Sequence, residues 1–180
     1  MRKEIKGSNF VLRRLRPIED KDSIFENINN EKILNKITLE YPYSDESYNQ
    51  FVDVFEKQDI NQDLANFSFI IDVGGKAVGA ISLMGKSKLE SIHRTEIGYW
   101  LGEKYWNRGI VSEAVKIICD FAFNDLNKMK ITISALEDNI GSIKVAEKNG
   151  FKLEYIKKKE AFKEGKYKDL VCYTKFKYVE

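Results

Sequence analysis

The stretch Glu96–Ile118, EIGYWLGEKYWNRGIVSEAVKII, constrains the fold of this chain more than any other. Ile97, Tyr99, Trp100 and Leu101 are large and apolar, with Gly98 interrupting and Gly102 ending them, as in a buried strand. Val111, Ala114, Val115 and Ile118 then recur at i, i+3, i+4 and i+7, the spacing of one helix face. Between them Lys104–Gly109 forms a short connection carrying Arg108 beside Gly109. The first turn of a helix has unpaired N–H groups and about half a positive charge, and glycine lets a ligand approach the backbone. A basic, glycine-containing strand-to-helix turn therefore suits an anion, most often a phosphate. The same residues also read as an ordinary turn, with Arg108 as a solvated surface charge.

The rest of the chain supplies layers around that crossover. Phe10–Leu15 reads as a first strand, and Pro17 opens a helix with acidic Glu19, Asp20 and Asp22 in its early turns and Ile18, Phe25, Ile28 and Ile33 as its buried face. Leu39–Ser44 is a loop, and Ser44 caps a second helix striped by Phe51, Val52 and Phe55. Asn61–Asn66 is a polar turn. Phe67–Val73 and Ala77–Leu83 form a hairpin around Gly74, Gly75 and Lys76, and Gly85–Ser91 turns into the strand Ile92–Leu101. After the central helix come a strand at Ile131–Ala135, a helix over Asn139–Asn149 ended by Gly150, and a strand pair, Phe151–Ala161 and Asp169–Lys177, turned at Glu164–Lys166. The predicted order is β-α-α-β-β-β-α-β-α-β-β, an α/β (α+β) mixed sheet in one domain over residues 1–180.

Composition narrows the function. The 30 basic and 28 acidic side chains nearly cancel, which argues against nucleic acid or membrane as a partner. Cys119 and Cys172 form neither a disulfide framework nor a metal-binding spacing, so no metal is expected and a reducing compartment is. The start, MRKEIKGSNF, lacks the apolar run of a signal peptide, and no stretch reaches membrane-spanning length, so a cytoplasmic location is expected. Ala80–Ser87 mimics a P-loop, but its middle is strand-like and no apolar-periodic helix follows. Cys119 lies on the buried helix face rather than in a nucleophile's setting. The lysines at 157–159, 163, 166 and 168 interleave with Glu160, Glu164 and Asp169, as on a solvated hairpin.

Two segments, EIGYWLGEKYWNRGIVSEAV and EDNIGSIKVAEKNGF, resemble the GNAT superfamily of acetyl-CoA-dependent N-acetyltransferases, and within it the RimJ/RimL-type branch that acetylates ribosomal-protein N-termini. The opening FVLRRLRPIED, the GGKAVGAISL hairpin and the closing KEAFKEGKYKDLVCY hairpin match in kind and order. The resemblance implies a GNAT-like acyl-CoA N-acyltransferase fold. It implies that backbone groups around Tyr99, Trp100 and Leu101 receive the pantetheine arm of acetyl-CoA. The pyrophosphate would sit on the amides of Asn107, Arg108, Gly109, Ile110, Val111 and Ser112, although Trp106 and Val111 depart from the family's Gln/Arg-x-x-Gly-x-Gly/Ala pattern. It implies Asn139 on the pantetheine, Ser142 near the sulfur as proton donor, and Lys148 within reach of the phosphates.

Each of these has a plainer account. Asp138 or Asn139 caps a helix, Ser142 sits in its first turn, and Lys148 is a solvated lysine near its C-terminus. Glu96 is the candidate general base, since Arg94, Glu96, Gly98 and Trp100 share one strand face; the alternative is a cross-strand ion pair. His93, the lone histidine, lies on the opposite alternation. The expected reaction is direct transfer of acetyl from acetyl-CoA to a primary amine, most simply the α-amine of a ribosomal or other protein N-terminus. A polyamine or aminoglycoside is the alternative acceptor, and a non-catalytic acyl-CoA sensor the alternative of another class. A monomer or homodimer is expected.

Overall fold

Strand-forming runs in the chain pair into one sheet around the crossover, as seen in the computed structural model, which describes residues 4–37, 39–60, 66–85 and 93–177. The strands are β1 (Glu4–Lys6), β2 (Val11–Arg13), β3 (Phe67–Val73), β4 (Lys76–Met84), β5 (Arg94–Leu101), β6 (Lys130–Leu136), β7 (Lys152–Lys163) and β8 (Lys166–Phe176). Their order across the sheet is β1-β2-β3-β4-β5-β6-β8-β7. The β5–β6 pair is parallel, and the other neighbours run antiparallel. The helices are α1 (Lys21–Ile28), α2 (Glu31–Leu34), α3 (Asp45–Ile60), α4 (Ile110–Asp120) and α5 (Ile140–Lys148).

Alternation along β5 decides the layering. Ile97 and Leu101 join a core with Ile110, Val115 and Ile118 of α4 and Ala146 of α5, whereas Trp100 joins a second core with Ile24, Ile28, Tyr48 and Phe55 of α1 and α3. Helices therefore cover both faces of the sheet. Each fully buried large aliphatic contributes on the order of 1.5–3 kcal/mol.

The hairpins follow their turn residues. Gly74 and Gly75 both take positive φ (62° and 86°), as a two-residue turn matched to strand twist requires, and Gly75 N–H donates to Asp72 Oδ1 at 2.7 Å. Ser44 caps α3, its Oγ accepting from Ser47 N–H at 3.1 Å. Gly150 is left-handed (φ 79°), as a helix-ending glycine should be.

The N-terminal region departs from the sequence expectation. The helix begins at Lys21, not at Pro17, and Ile18 is 88% exposed rather than buried. The cause is Arg13, which lies buried with its Nη1 and Nη2 both 2.7 Å from the Asp20 carboxylate and its Nε 2.6 Å from Asp72. That network holds Asp20 against the sheet, so Pro17–Asp20 is spent on a turn. Ile24 and Ile28 carry the buried face, and Phe25 is only half-buried. Two elements are additional to the expected order: β1, and the one-turn α2, whose N-cap Asn30 accepts from Lys32 N–H at 2.9 Å. All but Asn66 and Gly85 of the turns expected at Asn61–Asn66 and Gly85–Ser91, the start of the third strand at Ile92, and Lys86 and Ser87 of the P-loop-like run lie outside the described residues.

Candidate active site

Strand β5 pairs with β4 from Glu96 to Leu101, but with β6 only over Arg94–Glu96 opposite Lys130–Thr132. Past Glu96 the two central strands part, while β6 stays paired with β8 through Leu136. The backbone N–H and C=O groups of Ile97–Leu101 and Ile133–Leu136 that do not point to β4 or β8 therefore face an open gap in the middle of the sheet. Backbone polar groups inside a protein need partners, so such a gap suits an elongated ligand that supplies amides and hydroxyls. One of these groups is already occupied: Trp106 Nε1–H donates to the Leu101 carbonyl at 2.7 Å. Trp106, one of the departures from the family pattern, thus pins the end of β5.

The gap points to the start of α4. Asn107 is left-handed (φ 60°), and Gly109 caps the helix in the same region (φ 77°) with no side-chain cap hydrogen bond among the described residues. Nothing lies within 4 Å of where a Cβ on Gly109 would stand, so the cradle is open. Ile110 is buried, and Val111, the other departure, packs against the core. Arg108 is exposed, its guanidinium 5.3 Å from the centre of the Tyr105 ring. Ser112 Oγ accepts from Asn149 Nδ2 at 3.2 Å. That bond ties the C-terminal end of α5, and exposed Lys148 with it, to the first turn of α4.

At its other end α5 flanks the gap. Asn139 Oδ1 accepts from Ser142 N–H at 3.2 Å, so of the two caps the sequence allows, Asp138 and Asn139, it is Asn139 that serves, and its Nδ2 lies 3.4 Å from the Lys36 carbonyl. Ser142 is buried, and its Oγ lies 2.8 Å from the Tyr99 hydroxyl. Sequence reading had placed Tyr99 by its backbone and missed this side-chain contact, which joins residues 43 apart. Burial pushes the Tyr99 phenol up to about 12, the Ser142 hydrogen bond opposing.

Glu96 stands on the opposite face from Tyr99, where the strands part. Half-buried, it lines a shallow cleft of about 80 Å³ with Met84, Gly85, Arg94, Thr95, Thr132 and Tyr155. The structure thus brings Tyr99, Ser142 and Asn139 together, sets Glu96 across the sheet from them, and leaves His93 exposed at the paired end of β5.

The remaining candidates resolve simply. Cys119 is 1% exposed, and burial pushes its thiol up to about 12. The closing hairpin is largely solvent-exposed, as expected, and several of its lysines are paired. Lys168 pairs with Asp138 and Glu164 at 2.8 and 2.7 Å, Lys158 with Asp169 at 2.6 Å, and Lys163 Nζ donates to the Leu39 carbonyl at 2.8 Å. Among the described residues no group of three or more His, Cys, Asp or Glu side chains is placed to hold a metal, and no helix is long and apolar enough to cross a membrane.

A split mixed sheet, with a glycine-capped helix start beyond the split, is an α/β arrangement suited to a long ligand with an anionic end. Residues 9–152 match the acetyltransferase (GNAT) domain family, and the chain belongs to it. Among relatives, the chain is 24% identical over 160 residues to spermidine N(1)-acetyltransferase of Escherichia coli K12, covering 88% of this chain and 82% of that protein. It is 32% identical over 108 residues to the ribosomal-protein-serine acetyltransferase of the same organism, 59% of each chain. The match to Bacillus subtilis YjcK, named a probable N-acetyltransferase, is 32% over 94 residues and spans about half the length of that relative (51%). Among solved structures, RimL, a ribosomal L7/L12 α-N-protein acetyltransferase in complex with coenzyme A, superposes with a TM-score of 0.82 at 21% identity, covering 96% of this chain and 97% of that one. The microcin C7 self-immunity acetyltransferase MccE, in complex with acetyl-CoA and AMP, gives 0.78 at 23%, covering 98% and 97%.

Proposed function

We propose that the protein transfers the acetyl group of acetyl-CoA directly to a primary amine, with the α-amine of a protein or peptide N-terminus as its acceptor. The observation that carries this is the β5–β6 gap, which ends at the bare N-terminus of α4 and is flanked by Ser142. When bound, acetyl-CoA supplies an activated acyl carbon on a thiol leaving group. The chain's own residues supply the rest.

Open β5 backbone groups orient the pantetheine arm, and the amides of Gly109–Ser112 take the pyrophosphate. Ser142 Oγ–H would supply a proton to the departing sulfur as it gains charge. Glu96, on the other face, accepts the proton that the attacking amine loses. Glu96 and Tyr99 are separated by about 10 Å along the strand, at about 3.3 Å per residue, so this proton travels through water.

Proton arithmetic favours the α-amine. Its unperturbed pKa is ~8, against ~10.4 for a lysine side chain, so near neutral pH roughly a tenth of it is already free amine, against well under a thousandth of the lysine. A distant carboxylate asks for the acceptor that needs least help. The resemblance to ribosomal-protein acetyltransferases supports the same choice. The long alignment with a spermidine acetyltransferase supports a polyamine as second reading.

The test is mass-spectrometric mapping on a peptide offering both a free N-terminus and an internal lysine. The α-amine is expected to carry the label. Predominant lysine labelling would overturn the α-amine assignment, and labelling of neither, with rapid turnover of spermidine, would move the enzyme to the polyamine reading. Tight acetyl-CoA binding with no amine consumed would make it a sensor.

A further inference from the structure

We propose that Tyr99 is the positioning residue for Ser142: its phenol donates to Ser142 Oγ and so leaves the serine proton directed into the β5–β6 gap. This rests on the acetyltransferase reading above and deepens it.

A serine hydroxyl carries one proton and two lone pairs, and so does a tyrosine hydroxyl. At 2.8 Å one of the two must be the donor. If Ser142 donated to Tyr99, its only proton would be consumed and a departing thiolate would meet lone pairs. If Tyr99 donates, the Ser142 proton is free.

Two observations favour the second arrangement. A phenol is far more acidic than an alkyl alcohol and is the better donor of such a pair. The Ser142 carbonyl, the other acceptor near the one Tyr99 proton, lies at 3.5 Å, so Ser142 Oγ at 2.8 Å is the nearer acceptor. Ser142 is otherwise fixed by its N–H to Asn139 Oδ1 and lies buried in the first turn of α5, so hydroxyl rotation is its main remaining freedom. Tyr99 removes that freedom from across the gap, on the stretch of β5 that no longer pairs with β6.

The step balances without loss from Tyr99. The amine lone pair forms the C–N bond, and the C–S pair leaves on sulfur. Nitrogen gives one proton to the base, and sulfur takes one from Ser142, which solvent restores. Tyr99 keeps its proton throughout and is not itself a catalytic residue.

The experiment combines Tyr99→Phe, Ser142→Ala and the double variant, each assayed with acetyl-CoA and a free-N-terminus peptide. Tyr99→Phe is expected to lower kcat five- to tenfold with KM for acetyl-CoA unchanged, and the double variant to match Ser142→Ala alone. A second readout needs no turnover. By calorimetry at pH 9 the wild type should bind CoA several-fold more tightly than desulfo-CoA, and Tyr99→Phe should erase most of that preference. Unchanged kcat and an intact preference would overturn the inference. So would a raised KM at constant kcat, or a double variant falling by the product of the two singles. Wild-type protein that acetylates no amine would sink the enzymatic reading and this inference with it.

Discussion

Helix α4 starts at Gly109, left-handed and with no side chain on its first N–H groups, whereas α5 starts at Asn139, whose own side chain accepts from Ser142 N–H. Both starts flank the same gap, and in isolation both would attract an anion. The difference lies in what is left unsatisfied. At α4 the N-cap residue offers no side chain to the first amides and the glycine leaves room in front of them, an end suited to a ligand. At α5 the end is completed internally, which frees it to fix a side chain, Ser142, in one place. Under the proposed function, one helix start binds and the other positions.

If that division holds, the largest effect of substitution falls at α5 on rate. Ser142→Ala should lower kcat, by up to the ~10²–10⁴-fold typical of a lost general acid, while calorimetric affinity for acetyl-CoA stays put. An unchanged kcat would reduce Ser142 to a helix-turn residue.

At α4 the effect should fall on binding instead. Gly109→Glu places a carboxylate where the pyrophosphate belongs and forces a side chain into a left-handed conformation. Affinity for acetyl-CoA should drop at least tenfold, about 1.4 kcal/mol, with the fold retained. Equal affinities in a titration of the two proteins would refute the assignment of the phosphates to α4.

Effects on stability separate the two capping modes. Asn139→Ala removes a side-chain cap and should cost about 1 kcal/mol of stability, read as a lower denaturant midpoint at unchanged slope. Gly109→Ala costs backbone strain of about 1–2 kcal/mol but opens no unsatisfied group, because no cap existed. Acetyl-CoA saturation should therefore recover less stability in Gly109→Ala than in Asn139→Ala. The reverse order would mean that Asn139, not the α4 turn, carries the ligand's main contact.

Much of this was legible in the sequence, and for local reasons. The α4 stripe, the Gly74–Gly75 turn, the Ser44 and Asn139 caps and the Gly150 terminator each depend on residues within a few positions of one another. What escaped was long-range. The helix at Pro17 starts late because Arg13 draws Asp20 into a buried network with Asp72, a residue 59 positions away from Arg13. Nothing local shows that Trp106 will reach back to the Leu101 carbonyl, or that Tyr99 will meet Ser142. Strand alternation did place Glu96 opposite Tyr99, because a two-residue period is local. The point where β5 leaves β6 has no such signature, since it depends on how far two strands from different parts of the chain stay in register.

The central claim is that α4 takes the phosphates and the gap takes the arm. Backbone amide shifts on titration with CoA, compared with pantetheine, which has the arm but no pyrophosphate, test it most directly. CoA should move the amides of Gly109–Ser112 strongly while pantetheine leaves them in place, and both should move those of Tyr99–Leu101. Amides at Gly109–Ser112 that ignore CoA, or that respond equally to pantetheine, would contradict it.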